Sequence, residues 1–171
     1  MLSKKEMKEK SKGGTYMDYI NYLRNMVGHE KVIMVSAGVI VFDRENRILL
    51  QKRTDNGYWG HPGGFMELGE TIQDTARREV FEETGLELGK LEFFDIHSGP
   101  KYERTLSNGD QVSVFKVLFT CYEFEGELLE SSSESLNNHF FSLENLPKKL
   151  VPQHKEIFKS LLSHKKPPNI K

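Results

Sequence analysis

The sequence predicts a single α/β domain, a mixed β-sheet with helices packed on it. Three observations carry that reading. Helical periodicity near the start, in the middle and at the end alternates with runs rich in β-branched residues. No internal repeat or domain linker breaks the order. A length of 171 residues suits one sizeable core but not two comfortable ones.

The opening residues, MLSKKEMKEKSKGG, carry positive charge with no apolar stretch behind it, so they do not form a secretory signal. Residues 1–15 are expected to be a flexible leader, 16–164 the single domain including an N-terminal helix, and 165–171 a frayed tail. Tyr16, Tyr19, Ile20, Leu23, Met26 and Val27 recur at helical spacing, and Gly28 should end that helix. Lys31 to Asp43 is rich in β-branched residues and predicts one or two strands, followed across a DRENR turn by another from Ile48 to Arg53. Thr54 to Gly64 holds too much glycine and proline for a regular element and reads as a shaped loop. A helix follows it. After LEFFDIHSG and a turn-rich stretch through Ser107–Asp110, a long strand spans Gln111 to Phe124. A polar loop over 125–138 leads to a short strand at 139–143. A last helix begins near Pro152, with Ile157, Phe158, Leu161 and Leu162 on one face.

Hydrophobic content of 37%, charged content of 29% and a net charge of −1 fit a soluble globular protein without the basic excess of a duplex nucleic-acid binder. No run approaches the roughly 20 apolar residues that cross a bilayer. Cys121 is the sole cysteine, so no intrachain disulfide forms, and a cytoplasmic location is expected. Its neighbours Val117, Leu118, Phe119 and Tyr122 make it a small buried strand residue.

The middle helix carries the chemistry. Thr71 is a good N-cap, Asp74 completes a short-chain capping box, and Gly85 stands where a left-handed C-terminal cap is wanted, which bounds the helix at about Ile72 to Thr84. Ile72, Ala76 and Val80 make a stripe for packing on a sheet. Glu79, Glu82 and Glu83 stand at i, i+3 and i+4, so all three project from one side, where like charges repel. Three oxygen-donor carboxylates suit a hard divalent cation such as Mg²⁺ or Mn²⁺. A solvated acidic face neutralised by Arg77 and Arg78 accounts for the same three residues. The Pro-Gly-Gly loop before the helix favours the cation, because it lets backbone approach whatever the carboxylates hold.

Gly64, Glu70, Arg78, Glu79, Val80, Glu82, Glu83, Gly85 and Leu86 fill every specified position of a 23-residue pattern, and together they resemble the Nudix box. The resemblance extends to the YWGHPGG loop before it and to the strand pattern on both sides, over about Val32 to Ser163. It implies a Nudix-type α/β/α sandwich with a mixed β-sheet, and Mg²⁺-dependent hydrolysis of a pyrophosphate linkage in a nucleoside diphosphate joined to some group X. Glu79, Glu82 and Glu83 are then the metal ligands, with the carbonyl of Gly63 or Gly64 assisting, and Glu70 and Arg78 an ion pair that holds the ligating face. Glu82 or Glu83 serves as general base, or a glutamate from a later loop does, with Glu134 the first candidate and Glu127 the next.

Arg53, by the same resemblance, is a contact for substrate phosphate. Trp59 and Tyr58 either stack on a base or pack beneath the loop. Family cues downstream of the box point two ways. Pro100, 14 residues after Leu86, points to ADP-ribose, and Tyr102, 16 after it, to dinucleoside polyphosphates. ADP-ribose-type derivatives are the first expectation. Oxidised or normal nucleoside triphosphates of the MutT type come second and capped or triphosphorylated RNA ends third. A non-catalytic nucleotide-sensing module is the alternative class. The isomerase branch, which uses a cysteine in the site, fits a buried Cys121 poorly. Homodimers are common in the family, and the Tyr-rich N-terminal helix is a candidate contact.

Overall fold

The computed structural model describes residues 19–163 apart from Ser107. The expected leader, Tyr16 and the expected tail lie outside these residues. Helix α1 (Tyr19–Val27) ends where Gly28, at φ 60°, returns its N–H to the Arg24 carbonyl. The β-branched run forms one strand, β1 (Val32–Val41), and β2 (Ile48–Arg53) follows the turn as expected.

The glycine-rich loop is a correction to the sequence reading. It contains two short strands, β3 (Trp59–Gly60) and β4 (Gly63–Phe65). Glycine is tolerated in β4 because that segment lies directly on β1, where Ala37 pairs with Gly64 and Gly38 with Gly63, and a side chain at Gly63 would collide with the Ala37 carbonyl.

Helix α2 (Ile72–Thr84) carries the glutamates. Beyond it come β5 (Glu87–Leu88), β6 (Leu91–His97), a 3₁₀ turn at Pro100–Tyr102, β7 (Glu103–Thr105) and β8 (Gln111–Cys121). The long strand stops at Cys121, and Phe124–Glu125 is a separate strand, β9, paired with β5. The strand expected at 139 starts earlier, as β10 (Ser135–Phe141), because Ser135 pairs with Arg53 at the far end of β2. Helix α3 (Pro152–Ser163) closes the fold.

The main sheet runs β4-β1-β8-β6, with β7 also on β8; β1 and β8 are parallel from Val32 opposite Val112 to Val41 opposite Cys121. Alternation along these strands feeds two cores. Ala37, Val39, Val41, Phe119 and Cys121 pack against Ala76 and Val80 of α2. Ile40 and Leu118 face the other way, with Ile48 and Leu50, onto Ile157 and Phe158 of α3. Each such aliphatic side chain, fully buried, contributes about 1.5–3 kcal/mol. The result is the expected α/β/α sandwich. No helix among the described residues is long and apolar enough to cross a membrane.

Candidate functional site

Local chemistry sets α2. The Thr71 hydroxyl accepts from the Asp74 N–H at 3.1 Å while Asp74 accepts from the Thr71 N–H at 3.2 Å, and Gly85 caps the far end at φ 78° with its N–H on the Phe81 carbonyl. Packing of Ala76 and Val80 on β1 then fixes the helix's rotation, and the glutamates are left on the side that faces β4 and the 130s loop.

Glu79, Glu82, Glu83, Ser133 and Glu134 line one recess of about 300 Å³. Glu134 arrives there because β10 pairs with β2: Ser135 lies opposite Arg53, and the Glu134 carbonyl accepts from the Thr54 N–H at 3.2 Å. Glu127, the other loop candidate, is not among the lining residues; its carbonyl lies toward Gly85.

The glutamates differ in their surroundings. Glu83 is buried, and its Oε2 accepts from the Gly63 N–H at 2.8 Å. Burial pushes its carboxyl up to about 7, although the Gln51 amide and the Gly63 N–H favour the charged form. Burial likewise lifts Glu79 to about 7 against the pull of Arg78. Glu82 is the exposed member, with 59% of its side chain in solvent.

Arg78 organises the rest. Its Nε donates to Glu70 Oε1 at 2.6 Å, and a second nitrogen to Glu70 Oε2 at 3.0 Å. It also reaches Glu79 at 2.7 Å and Glu82 at 3.2 Å. Glu70 further accepts from the Glu67 N–H and the Thr75 hydroxyl. Burial works against its charge, but the Arg78 hydrogen bond and these donors hold it below the usual carboxylate range. The Glu70–Arg78 pair thus stands beside the acidic face as an ion pair. Arg77 does not neutralise that face, since it donates to the Leu88 carbonyl.

Donor chemistry fits a hard divalent cation: oxygen donors only, one buried and one half-buried, both carrying raised carboxyls that positive charge would relieve. A side chain on Gly64 would collide with the Glu79 carboxylate, so glycine alone lets that carboxylate lie against the backbone. Among the described residues, however, no three acidic groups converge on one point as they stand. The guanidinium of Arg78 lies between Glu79 and Glu82 and draws both toward itself.

The expected substrate contacts divide. Arg53 is held by Asp55 through two hydrogen bonds of 3.0 Å, and it feels the charges of Glu83 and Glu134. It is not among the residues that line the recess. Trp59 packs edge-on to Phe141 at 4.9 Å, in the core beneath α3. Tyr102 lines a different cleft, on the α3 face of the sheet, with its hydroxyl hydrogen-bonded to His97 Nδ1 at 2.9 Å.

Sequence reasoning missed Gln51, Ser133 and Asn138. Gln51 and Asn138 carried a signal. Gln51 is a lone amide inside the apolar run ILLQKR, 1% exposed, and Asn138 donates to the Glu83 carbonyl at 2.9 Å from within a strand. A polar residue at an inward strand position is there to be satisfied by something. Ser133 had no signal beyond its loop.

The family model for the NUDIX domain matches residues 32–161. An ADP-ribose pyrophosphatase from Methanocaldococcus jannaschii is 33% identical over 128 residues, covering 73% of this chain and 71% of that protein. A Bacillus subtilis protein named provisionally as an 8-oxo-dGTP diphosphatase is 30% identical, covering 70% of this chain and 73% of that protein. Among solved structures, a mutator MutT protein from Bacillus halodurans superposes with a TM-score of 0.62 at 30% identity, covering 75% of this chain and 82% of its own.

Proposed function

The chain belongs to the Nudix hydrolase family, and from that premise we propose that it cleaves the pyrophosphate linkage of nucleoside-diphosphate derivatives of the ADP-ribose type, with Mg²⁺ as its cation. One observation carries the reading: a single recess gathers Glu79, Glu82 and Glu83 of the box with Glu134 from a distant loop, beside Arg53. Glu79, Glu82, Glu83 and the Gly64 carbonyl hold the cation. When bound, it supplies neutralisation of phosphate charge and activation of water. Glu134, exposed at the rim, takes the proton from the attacking water. Arg53 orients the diphosphate. Glu70 and Arg78 act by positioning, since their ion pair keeps the α2 carboxylates in register with β4.

The similarity to an ADP-ribose pyrophosphatase supports this substrate class first. The similarity to the Bacillus subtilis relative keeps nucleoside triphosphates as the second reading. The test is turnover of a panel of ADP-ribose, other nucleoside-diphosphate derivatives and normal and oxidised nucleoside triphosphates with Mg²⁺, read as released nucleoside monophosphate. Highest kcat/KM on ADP-ribose-type compounds is expected. Preference for an oxidised triphosphate would move the assignment to the MutT type, and folded protein that turns over no member of the panel would leave a nucleotide sensor.

A further inference from the structure

On the face of the sheet opposite α2, Lys116 sits in β8 directly across from Ser36 of β1 and His97 of β6. Cross-strand partners share a face, so the three side chains stand in a row. Lys116, half-buried, makes no hydrogen bond or ion pair within the described residues. Its neighbours are similarly unmet: Ser36 Oγ and His97 Nε2 are buried without a hydrogen-bond partner, and so is Nε2 of nearby His61. Asp95 stands 3.6 Å from His97 Nε2, outside hydrogen-bonding reach.

Lys116 opens into a cleft with Tyr102, Arg104, Gln153 and His154, and no carboxylate among the described residues lines it. Arg104 is exposed, with no ion pair among the described residues and its guanidinium 6.0 Å from the Phe65 ring centre. Among the described residues the cleft wall therefore supplies two cations and no anion, while the charge of Asp55 acts on Arg104 from outside it. Burial and the charges of Arg104 and Arg53 push the Lys116 ammonium down to about 7. Among acidic groups, the charge of Glu83 acts on it, from the recess side. Arg53 feels Glu83 and Glu134 and also acts on Lys116, so the recess and the cleft lie within electrostatic reach of one another.

We infer that this cleft binds a phosphate group carried by the substrate beyond its scissile pyrophosphate, an inference that rests on the hydrolase reading for its substrate but not for its anion. An unmatched cation away from water is costly and is normally balanced by a counter-charge. A point-charge ammonium, a guanidinium fork, a hydroxyl and an imidazole are the donors that a tetrahedral dianion takes. The cleft offers about 30 Å³ of room, so it suits the tip of a group and not a ring system.

Inorganic phosphate titrated calorimetrically into chelator-treated protein reads the cleft alone, because the carboxylate recess without a divalent cation repels phosphate. Binding should weaken roughly 10-fold to 100-fold in Lys116→Met and also in Arg104→Gln, the worth of a hydrogen bond to a charged group. Lys116→Met should also melt no lower than wild type, since an unmatched charge is removed. With Mg²⁺, wild type should prefer ADP-ribose carrying an extra phosphate at the 2′ or the 1″ position over ADP-ribose itself, and Lys116→Met should lose the preference. Unchanged phosphate affinity in both variants overturns the inference. If phosphate binds and both variants lose it while no compound is turned over, the cleft stands and the hydrolase reading falls. Turnover with neither phosphate binding nor preference leaves the hydrolase reading standing and removes the cleft.

Discussion

The recess under α2 and the cleft under α3 lie on opposite faces of one sheet and hold opposite charge. The recess is assembled from one continuous stretch, Gly63 to Glu83, with Glu134 added by strand pairing. It carries its own cation, Arg78, already bridging Glu70, Glu79 and Glu82. The cleft is assembled from β8, β7, the 3₁₀ turn and α3, and its Lys116 has no such internal counter-charge. The acidic groups tolerate one another because Arg78 and two raised carboxyls reduce their repulsion. Basic groups without a counter-anion have only burial and lowered protonation to do the same.

The largest effect expected is on the recess. Glu82→Gln, at an exposed side chain, should leave folding intact and lower Mg²⁺-dependent kcat roughly a hundredfold or more, as loss of several kcal/mol of charge stabilisation requires. Wild-type kcat in both Glu82→Gln and Glu83→Gln would break the site assignment.

Next come the two glycines, whose variants should separate stability from ion binding. Gly63→Ala meets the backbone of β1 and holds φ 141°, so it should lower unfolding free energy by about 1–3 kcal/mol in chemical denaturation. Gly64→Ala meets only the Glu79 carboxylate, which can turn away. It should fold with a smaller loss and show its defect as weaker Mg²⁺ affinity. If both variants behave alike, the close approach of Glu79 to the backbone has no role in holding the ion.

Acid should move the two faces in opposite directions. The raised carboxyls of Glu79 and Glu83 bind protons in the folded state that the unfolded chain does not bind until about pH 4.5. Their penalty is therefore relieved as pH falls from about 7. Under α3, His61 and His154 are stacked at 3.9 Å, buried, with burial holding both imidazoles well below 6.5. The unfolded chain takes those protons first, so this contribution is fully present above about pH 6.5 and is lost as pH falls below it. Metal-free Glu79→Gln should gain on the order of 1–3 kcal/mol at pH 8 and little at pH 5, measured by denaturant unfolding. Replacement of His154 by Phe should flatten the acid limb. A flat wild-type profile from pH 7 to pH 5 fits only if the two cancel, and each variant would expose its partner.

The smallest effect expected is at the helix cap. Thr71→Ala should cost about 1 kcal/mol of stability without changing the pH profile, because it removes a capping hydrogen bond and touches neither face.

Legibility followed chain continuity. Both ends of α2 were readable to the residue, because capping and glycine geometry are local chemistry. So was the side that Glu79, Glu82 and Glu83 share, since helical spacing turns sequence separation into spatial side. The strand start at Ser135 was not, because SSSES is polar and acquires strand structure only by pairing with β2. Lys116 was invisible for the same kind of reason. In VSVFKVLF it looks like a solvent-facing residue of a half-exposed strand, and only α3 and the Pro100–Tyr102 turn, laid over that face, enclose it.

By itself the sequence determined the family, the helix that bears the carboxylates, and which of its charges share a side, since all of these arise from interactions a few residues apart. Only the tertiary structure decided that Glu134 joins them, that Trp59 packs against Phe141, and that Lys116 and Arg104 share a cleft with Tyr102. Those facts depend on which strands pair and which helix covers which face, and that choice is made by burial of the whole sheet at once.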